Sequence, residues 1–519
     1  MNSTLQTASR LSVVASRLNA VPKAAIAVVL LASIGTSHAA FNSGSTGADG
    51  VLNPAVSTEI VLPPSGILQY TSINIPTGVV VTFKKNVLNT PVQLLVSGDA
   101  TIVGSIDIRG GTGKPSGTAG DGNQADDGIP GMGGPGGYDG GRGGKDDLQN
   151  RGEPTRGGAG LGPGGGAGGY ERADGCYGGV YYHRMGRGGA YATKGGAAWG
   201  SGQYCTAVAD EPGRANLYGT PAIVPLIGGS GGGGGKGGTN YPGGGGGGGG
   251  GAILIAASGT ITLTGSILAG GGDAADRAGT GVGSEGSGGS GGAIKLVATS
   301  IKGAGSLNAD GGCLVNNGSR QYCNDVRHNG GSPGRIRIEG ESVTFSGASS
   351  PTYTTEVPSA ISVANAPVIR IASVAGTNVP AIPTGNADVT LPATTTNPVT
   401  VNFTTANVPT GNTIKLRVVP AYGDTVEVLS PALTGTTASG ATSVSVNLPQ
   451  GPSVLQAITS YTVTVAQAES LSRFAENEKV ERVELVASMG QDSVAQLVTA
   501  SGKRYTVPAS VLQLVGLTG

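Results

Sequence analysis

Eight side chains able to recognise a ligand crowd one stretch of this chain: Tyr177, Tyr181, Tyr182, His183, Arg184, Arg187, Tyr191 and Trp199. They lie between Cys176 and Cys205, and Trp199 is the sole tryptophan. Aromatic faces beside Arg and His donors suit recognition of a sugar or peptide. The same rings would also make a small satellite core beneath a disulfide-tied loop, because glycine offers nothing else to bury. Tyr177, Tyr181, Tyr182, His183, Arg184, Arg187 and Trp199 are therefore candidate binding residues.

A second constellation, Asp121, Asn123, Asp126 and Asp127 before Gly128, supplies the oxygen ligands that calcium takes from flexible loops. Its spacing fits neither an EF-hand nor the repeat-type calcium consensus, and solvated turn acids account for it as well. Calcium is the one cofactor the residues suggest. Gly131 to Gly136 matches GxGxxG, but its flanks are glycine and polar loop where a dinucleotide site needs a strand and a helix. Gly228 to Gly232 matches GxSxG with as little context. Beyond the leader the chain holds two histidines, His183 and His328, and nothing sets either beside an elbow serine. Lys295, Lys302, Arg335 and Arg337, with Asp310, Glu339 and Glu341, would furnish a polysaccharide-cleaving face if two acids flanked a groove. Solvated positions on half-buried strands explain the same charges, so no catalytic residue is assigned.

The elements that must position these groups are legible as repeats. Pro91–Gly111, Gly251–Gly272, Gly292–Gly312 and Gly334–Gly347 share an outline of a β-branched run, a small-residue corner and a second alternation. The first three then carry the matched triplets Gly104-Ser105-Ile106, Gly265-Ser266-Ile267 and Gly305-Ser306-Leu307, each followed by a Gly-Gly pair. Ile294, Leu296, Ile336 and Ile338 alternate with Lys295, Arg335 and Arg337, the period of a strand with one buried face. A unit of about 20 residues cannot bury its own apolar face, so it must stack on its neighbours. A parallel β-solenoid is the expected product, in preference to a sandwich or meander of hairpins. An earlier turn is expected at Leu68–Phe83.

Insertions over Thr112–Gly250, Asp273–Gly291 and Cys313–Pro333 follow the closing Gly-Gly, so all should leave at the same corner. Glycine numbers 98 of 519 residues, far above the ~7% of average proteins, and most of it lies here. The near-pure runs Gly231–Gly235 and Gly243–Gly250 would be flexible linkers or extended three-fold helices packed side by side. Packing is the favoured reading, because the second run abuts a strand.

Residues 1–40 have the form of a secretory signal. Arg10, Arg17 and Lys23 precede an apolar run from Ala24 to Ile34, and Ser37-His38-Ala39 offers a cleavage site. The run is too short to span ~30 Å of hydrocarbon, so no transmembrane segment is expected after cleavage. An oxidising compartment agrees with disulfides at Cys176–Cys205 and Cys313–Cys323, the two local pairings among four cysteines. Lys+Arg and Asp+Glu are 32 each, so the chain lacks the electrostatic footprint of a nucleic-acid binder.

From residue 351 glycine thins while Thr, Val and Pro rise, and seven short strand patterns, Asp388–Leu391 among them, suggest an immunoglobulin- or fibronectin-like sandwich over residues 351–466. A small module of one helix and a β-hairpin is expected over 467–519. Residues 41–350 then form the glycine-rich solenoid domain, and the fold class is all-β. The run GGGGGAILIAASGTITLTGSILAGGG, ending at Gly272, resembles those of glycine-rich secreted bacterial proteins with β-helical, adhesin-like cores. The likeness covers roughly Ile60 to Gly347 and rests on the repeat pattern. It implies a secreted, cell-surface or periplasmic scaffold with carbohydrate, matrix or self-association partners, and carries no active-site residue across. The alternatives are a carbohydrate-active β-helix enzyme and a self-assembling structural protein.

Overall fold

The computed structural model of the chain describes residues 40–519 apart from 87, 116–127, 146–155, 171–184, 197–216, 239–240, 276–283, 317–318, 322, 325–327, 360, 362–365, 381–388, 422–423, 473, 476–477, 490–492, 510 and 518–519. The described chain is nearly all β, with parallel sheets in its first part and antiparallel sheets in its second.

In the first part successive passages of the chain lay one stretch into a nine-stranded sheet and the next into a six-stranded sheet. The first passage is β1 (Val51–Leu52) then β2 (Thr58–Val61); the next is β3 (Ile67–Tyr70) and β4 (Ser72–Ile75) then β5 (Val80–Lys84). β6 (Val92–Val96) and β7 (Ala100–Ile102) lead to β8 (Ser105–Asp107), and β9 (Ala252–Leu263) leads to β10 (Ser266–Leu268). β11 (Ala293–Gly303) leads to β12 (Ser306–Asn308) and on to a hairpin, β13 (Leu314–Asn316) with β14 (Ser319–Gln321). β15 (Arg335–Phe345) leads to β16 (Ala348–Ser350), and β17 (Thr354–Glu356) ends the larger sheet.

Parallel register puts like residues above one another. Leu68, Leu94, Ile255, Leu296 and Ile338 form one ladder, and Val81, Ile106, Ile267 and Leu307 form another. All nine are buried in a single core, where each such side chain contributes about 1.5–3 kcal/mol relative to exposure. The Gly-Ser corners stack too: Ser266 N–H donates to Gly104 O (3.0 Å), Ser306 to Gly265 O (2.8 Å) and Ala348 to Gly305 O (3.0 Å). A methyl group at Gly265 or Gly305 would lie closer than 3.0 Å to the carbonyl of the corner before it, which is why the triplet keeps its glycine.

The described parts of the glycine-rich insertions are ordered and packed. Residues three apart bond the same neighbour, the signature of an extended three-fold helix. Gly243, Gly246 and Gly249 donate to Gly144, Gly141 and Tyr138; Gly244, Gly247 and Gly250 donate to Ser284, Ser287 and Ser290; Gly245, Gly248 and Gly251 donate to Lys114, Gly111 and Ile108. Carbonyls of the same run accept from Gly229, Gly232 and Gly235, from Gly131 and Gly134, and from Gly272 and Ala275. One segment thus has six backbone neighbours, and nothing larger than hydrogen fits between them. The expectation of packed three-fold helices holds for both near-pure runs.

Nine antiparallel ladders join the remaining strands into two sheets. One has the order β19 (Thr377–Asn378), β18 (Val368–Val374), β20 (Val399–Ala406), β24 (Ser439–Val446), β23 (Thr434–Thr436). The other runs β22 (Val426–Ala432), β21 (Thr413–Pro420), β25 (Ser453–Thr462), β26 (Val480–Ser488), β27 (Val494–Thr499), β28 (Arg504–Pro508). Val401, Phe403 and Ile371 share an apolar core with Leu416, Leu455 and Leu485 of the second sheet. Two features differ from expectation. Val389 to Leu391 forms no strand, and β26 to β28 make no sheet of their own. β26 pairs with β25 over seven residue pairs, since its buried Val483 and Leu485 continue the same apolar face. Helix α1 (Val465–Ser472) joins them, capped by Thr464 N–H on Gln467 Oε1 (2.9 Å). A short α2 (Val511–Leu514) closes the fold. Among the described residues no helix is long and apolar enough to cross a membrane.

Candidate ligand-binding groove

Every second side chain of the smaller parallel sheet faces away from the core. In register these are Thr82, Asp107, Leu268, Asn308 and Ser350, a half-buried ladder crossing five strands. They floor a groove of about 1230 Å³ whose walls include Gly110 to Thr112 and Met132 to Pro135 of the glycine layer. The β13–β14 hairpin adds Arg320, Cys323 follows it, and the disulfide Cys313–Cys323 closes the base of that hairpin.

Both arginines and Lys85 in the groove are paired with carboxylates. Arg109 forks onto Asp107, Nε to Oδ1 at 3.0 Å and Nη2 to Oδ2 at 2.7 Å. Arg320 forks onto Asp273 through Nε (2.6 Å) and Nη2 (3.0 Å), and Cys313 N–H donates to the same carboxylate (2.8 Å). Asp310 accepts from Asn308 (2.7 Å), Asn324 (2.7 Å) and Ser350 (2.6 Å). Lys85 reaches Asp139 and the Gly137 carbonyl, both at 3.0 Å. Each guanidinium has five N–H donors and spends two on its carboxylate, so three remain on each for a ligand. The arrangement offers fixed donors and acceptors to hydroxyl groups.

Most of the sequence-predicted residues cannot be placed against this groove. Tyr177, Tyr181, Tyr182, His183, Arg184 and Trp199 lie outside the described residues, as do Asp121, Asn123, Asp126 and Asp127, and Cys176 with Cys205. Arg187 is fully buried and donates to the Met185 carbonyl (2.6 Å), so it presents no surface to a ligand. Tyr191 is also buried, its hydroxyl donating to Ile227 O (3.0 Å) and its ring 4.6 Å from that of Tyr218. Tyr191 belongs to the apolar core of the antiparallel sheets. Among the described residues no group of three His, Cys, Asp or Glu side chains could hold a metal ion.

Two of the charges on the larger sheet are buried, while Lys302 and Glu341 are exposed as expected. Lys295 is 2% exposed and Glu339 0%. Lys295 Nζ meets Glu339 Oε1 at 3.1 Å and the Ala222 carbonyl at 3.1 Å, while Arg337 and Ser359 bond the same carboxylate. Residues Phe41, Leu226 and Ile361 pack over the adjoining Leu254, Ala256 and Val297. Burial pushes the Glu339 carboxyl upward, but bonds from Arg337 and Ser359 and the Lys295 charge outweigh it and hold it below the usual carboxylate range. Burial draws the Lys295 ammonium downward, with Glu339 opposing. Arg335 lies 5.5 Å from the Tyr191 ring centre, and the exposed Glu341 accepts from Phe41 N–H (2.9 Å). Asp310 alone of that set lines the groove. Sequence did not single out Asp107, Asn308 or Arg320. The signal for the first two is their equivalent place directly after the matched triplets.

Comparison with protein-family models, with curated proteins and with solved structures finds no match.

Proposed function

We propose that the chain is an exported, non-enzymatic scaffold of a bacterial surface, matrix or periplasm, presenting a binding surface on a rigid support. In this reading the two parallel sheets are the faces of a β-solenoid, and the two antiparallel sheets form an immunoglobulin- or fibronectin-like sandwich behind it. The carrying observation is the glycine lattice, whose six-neighbour backbone hydrogen bonding supports reading the described parts of the insertions as a rigid platform. A platform of that kind suits presentation of carbohydrate- or matrix-binding groups. Acids in the groove that are already paired favour holding a ligand over proton transfer to it.

The test is fractionation of a bacterial host expressing the full chain, with mass spectrometry of the product and glycan incubation of the purified protein. Export with loss of the first ~40 residues, and glycans recovered intact, is the expected result. Cytoplasmic retention of an unprocessed chain, or glycan cleavage, would overturn it.

A further inference from the structure

We infer that the groove binds an uncharged linear glycan lying along the stacking direction of the sheet; this rests on the scaffold reading and names its ligand class. The first argument is spacing. Ladder residues recur once per strand, so Thr82 to Ser350 spans four intervals of about 4.8 Å, roughly 19 Å. A pyranose chain repeats at nearly the same interval, so successive sugars meet successive rungs of the ladder. Asp107 and Asn308 would accept from or donate to hydroxyls, and Leu268 between them offers an apolar step to the C–H face of a ring.

Charge decides against a polyanion. The groove is lined by Lys84, Lys85, Arg109 and Arg320 on one side of the balance and Glu59, Asp107, Asp273 and Asp310 on the other. Both arginines are forked onto acids, and Lys85 is bonded to Asp139. A uronate chain would have to strip those pairs and then face the freed carboxylates. Backbone pairing decides against an extended peptide. Strand addition would lay a peptide parallel to the strands along the edge strand β16, whereas the ladder crosses the strands, and β5, β8, β10 and β12 are already paired on both sides.

Calorimetric titration of the purified full chain tests this, using cello-, N-acetylchito-, malto- and laminari-oligosaccharides of two to seven units, with oligogalacturonates as the charged comparator. At least one neutral series should bind, with affinity rising with length and levelling near five units. Asp107→Ala and Asn308→Ala should each weaken binding about tenfold, the effect of one lost hydrogen bond, with the melting temperature unmoved. Silence from every neutral series, tighter salt-sensitive binding of oligogalacturonate, or unchanged affinity in both variants would overturn the inference. Unchanged affinity would leave the scaffold reading standing. Cleavage of a bound neutral glycan would overturn the non-enzymatic reading and leave the groove in place.

Discussion

Replacing Gly247 by alanine distinguishes a lattice from a linker by the sign of its effect. In a flexible linker the change stabilises by about 0.4–1 kcal/mol, because alanine restricts the unfolded chain. Here Gly247 N–H donates to Ser287 O and Gly247 O accepts from Gly232 N–H, both at 2.9 Å. A methyl group would sit closer than 3.0 Å to the Gly272 and Asp273 carbonyl oxygens, which belong to backbone and have no rotamer to escape into. Overpacking of this kind costs about 1–3 kcal/mol. Pushing the segments apart also weakens two hydrogen bonds, each worth about 0.5–1.5 kcal/mol, so the total is about 2–6 kcal/mol destabilising. Urea unfolding should show the midpoint falling. Hydrogen exchange should show faster exchange in peptides covering 228–238 and 243–251. Met132→Ala is the control: its carbonyl accepts from Gly111 N–H within the lattice, but its side chain is 66% exposed, so the change should stay within about 0.5 kcal/mol. A midpoint that rises or holds in Gly247→Ala, with exchange unchanged, would refute the packed lattice.

Glu339→Gln should destabilise by about 3–5 kcal/mol, since it strands the buried Lys295 beside Arg337, and urea midpoints would measure it. The pH dependence follows in sign. The depressed Glu339 carboxyl contributes stability that is full above its unfolded value of about 4.3 and is lost as pH falls through the lower folded value. Lys295, lowered by burial, makes stability rise with pH between its folded value and its unfolded value near 10.4. Melting temperature against pH should therefore show an acid limb that Glu339→Gln flattens. Removing the Cys313–Cys323 link with serines frees a short loop and should cost about 2–3 kcal/mol locally, seen as faster exchange over 314–321 with the antiparallel sheets unaffected.

How far the sequence could be read depended on whether a feature repeats. Leu296 and Ile338 alternate with Lys295, Arg337 and Glu339, and Leu94 and Ile255 hold the same place in units that recur, so both the strands and their stacking were legible. The Gly-Ser corners were legible for the same reason. Lys295 and Glu339 share that alternation, yet they are buried, because the cover comes from Ala222 and Ser359, 73 and 20 residues from the groups they bond. No periodicity reports such a partner. The groove was half legible: Asp107 and Asn308 occupy one repeat position, while Arg320 arrives on a hairpin with no counterpart in the other turns. Val389 to Leu391 reads as β-forming, but the described chain gives it no strand partner.

The lattice and the sheets obey one geometric rule, which explains how so much glycine folds at all. Fixing each residue's backbone costs about 1–2 kcal/mol, and glycine buries no side chain to offset it. The strands supply the template. β9 and β11 are neighbours, and the residues before them stay neighbours, Gly247 and Gly250 donating to Ser287 and Ser290. β11 and β15 continue likewise, Gly288 and Gly291 donating to Asn329 and Ser332. After the smaller sheet, Gly110 donates to Gly270 and Gly271 to Asp310, following β8, β10 and β12. Glycine segments that adjoin a strand therefore start in register, held at the strand end by side chains that do pack. Backbone bonds then extend in directions a sheet cannot use, because no Cβ stands in the way. The ladders thus order the glycine, and the glycine layer forms part of the wall of the groove those ladders floor.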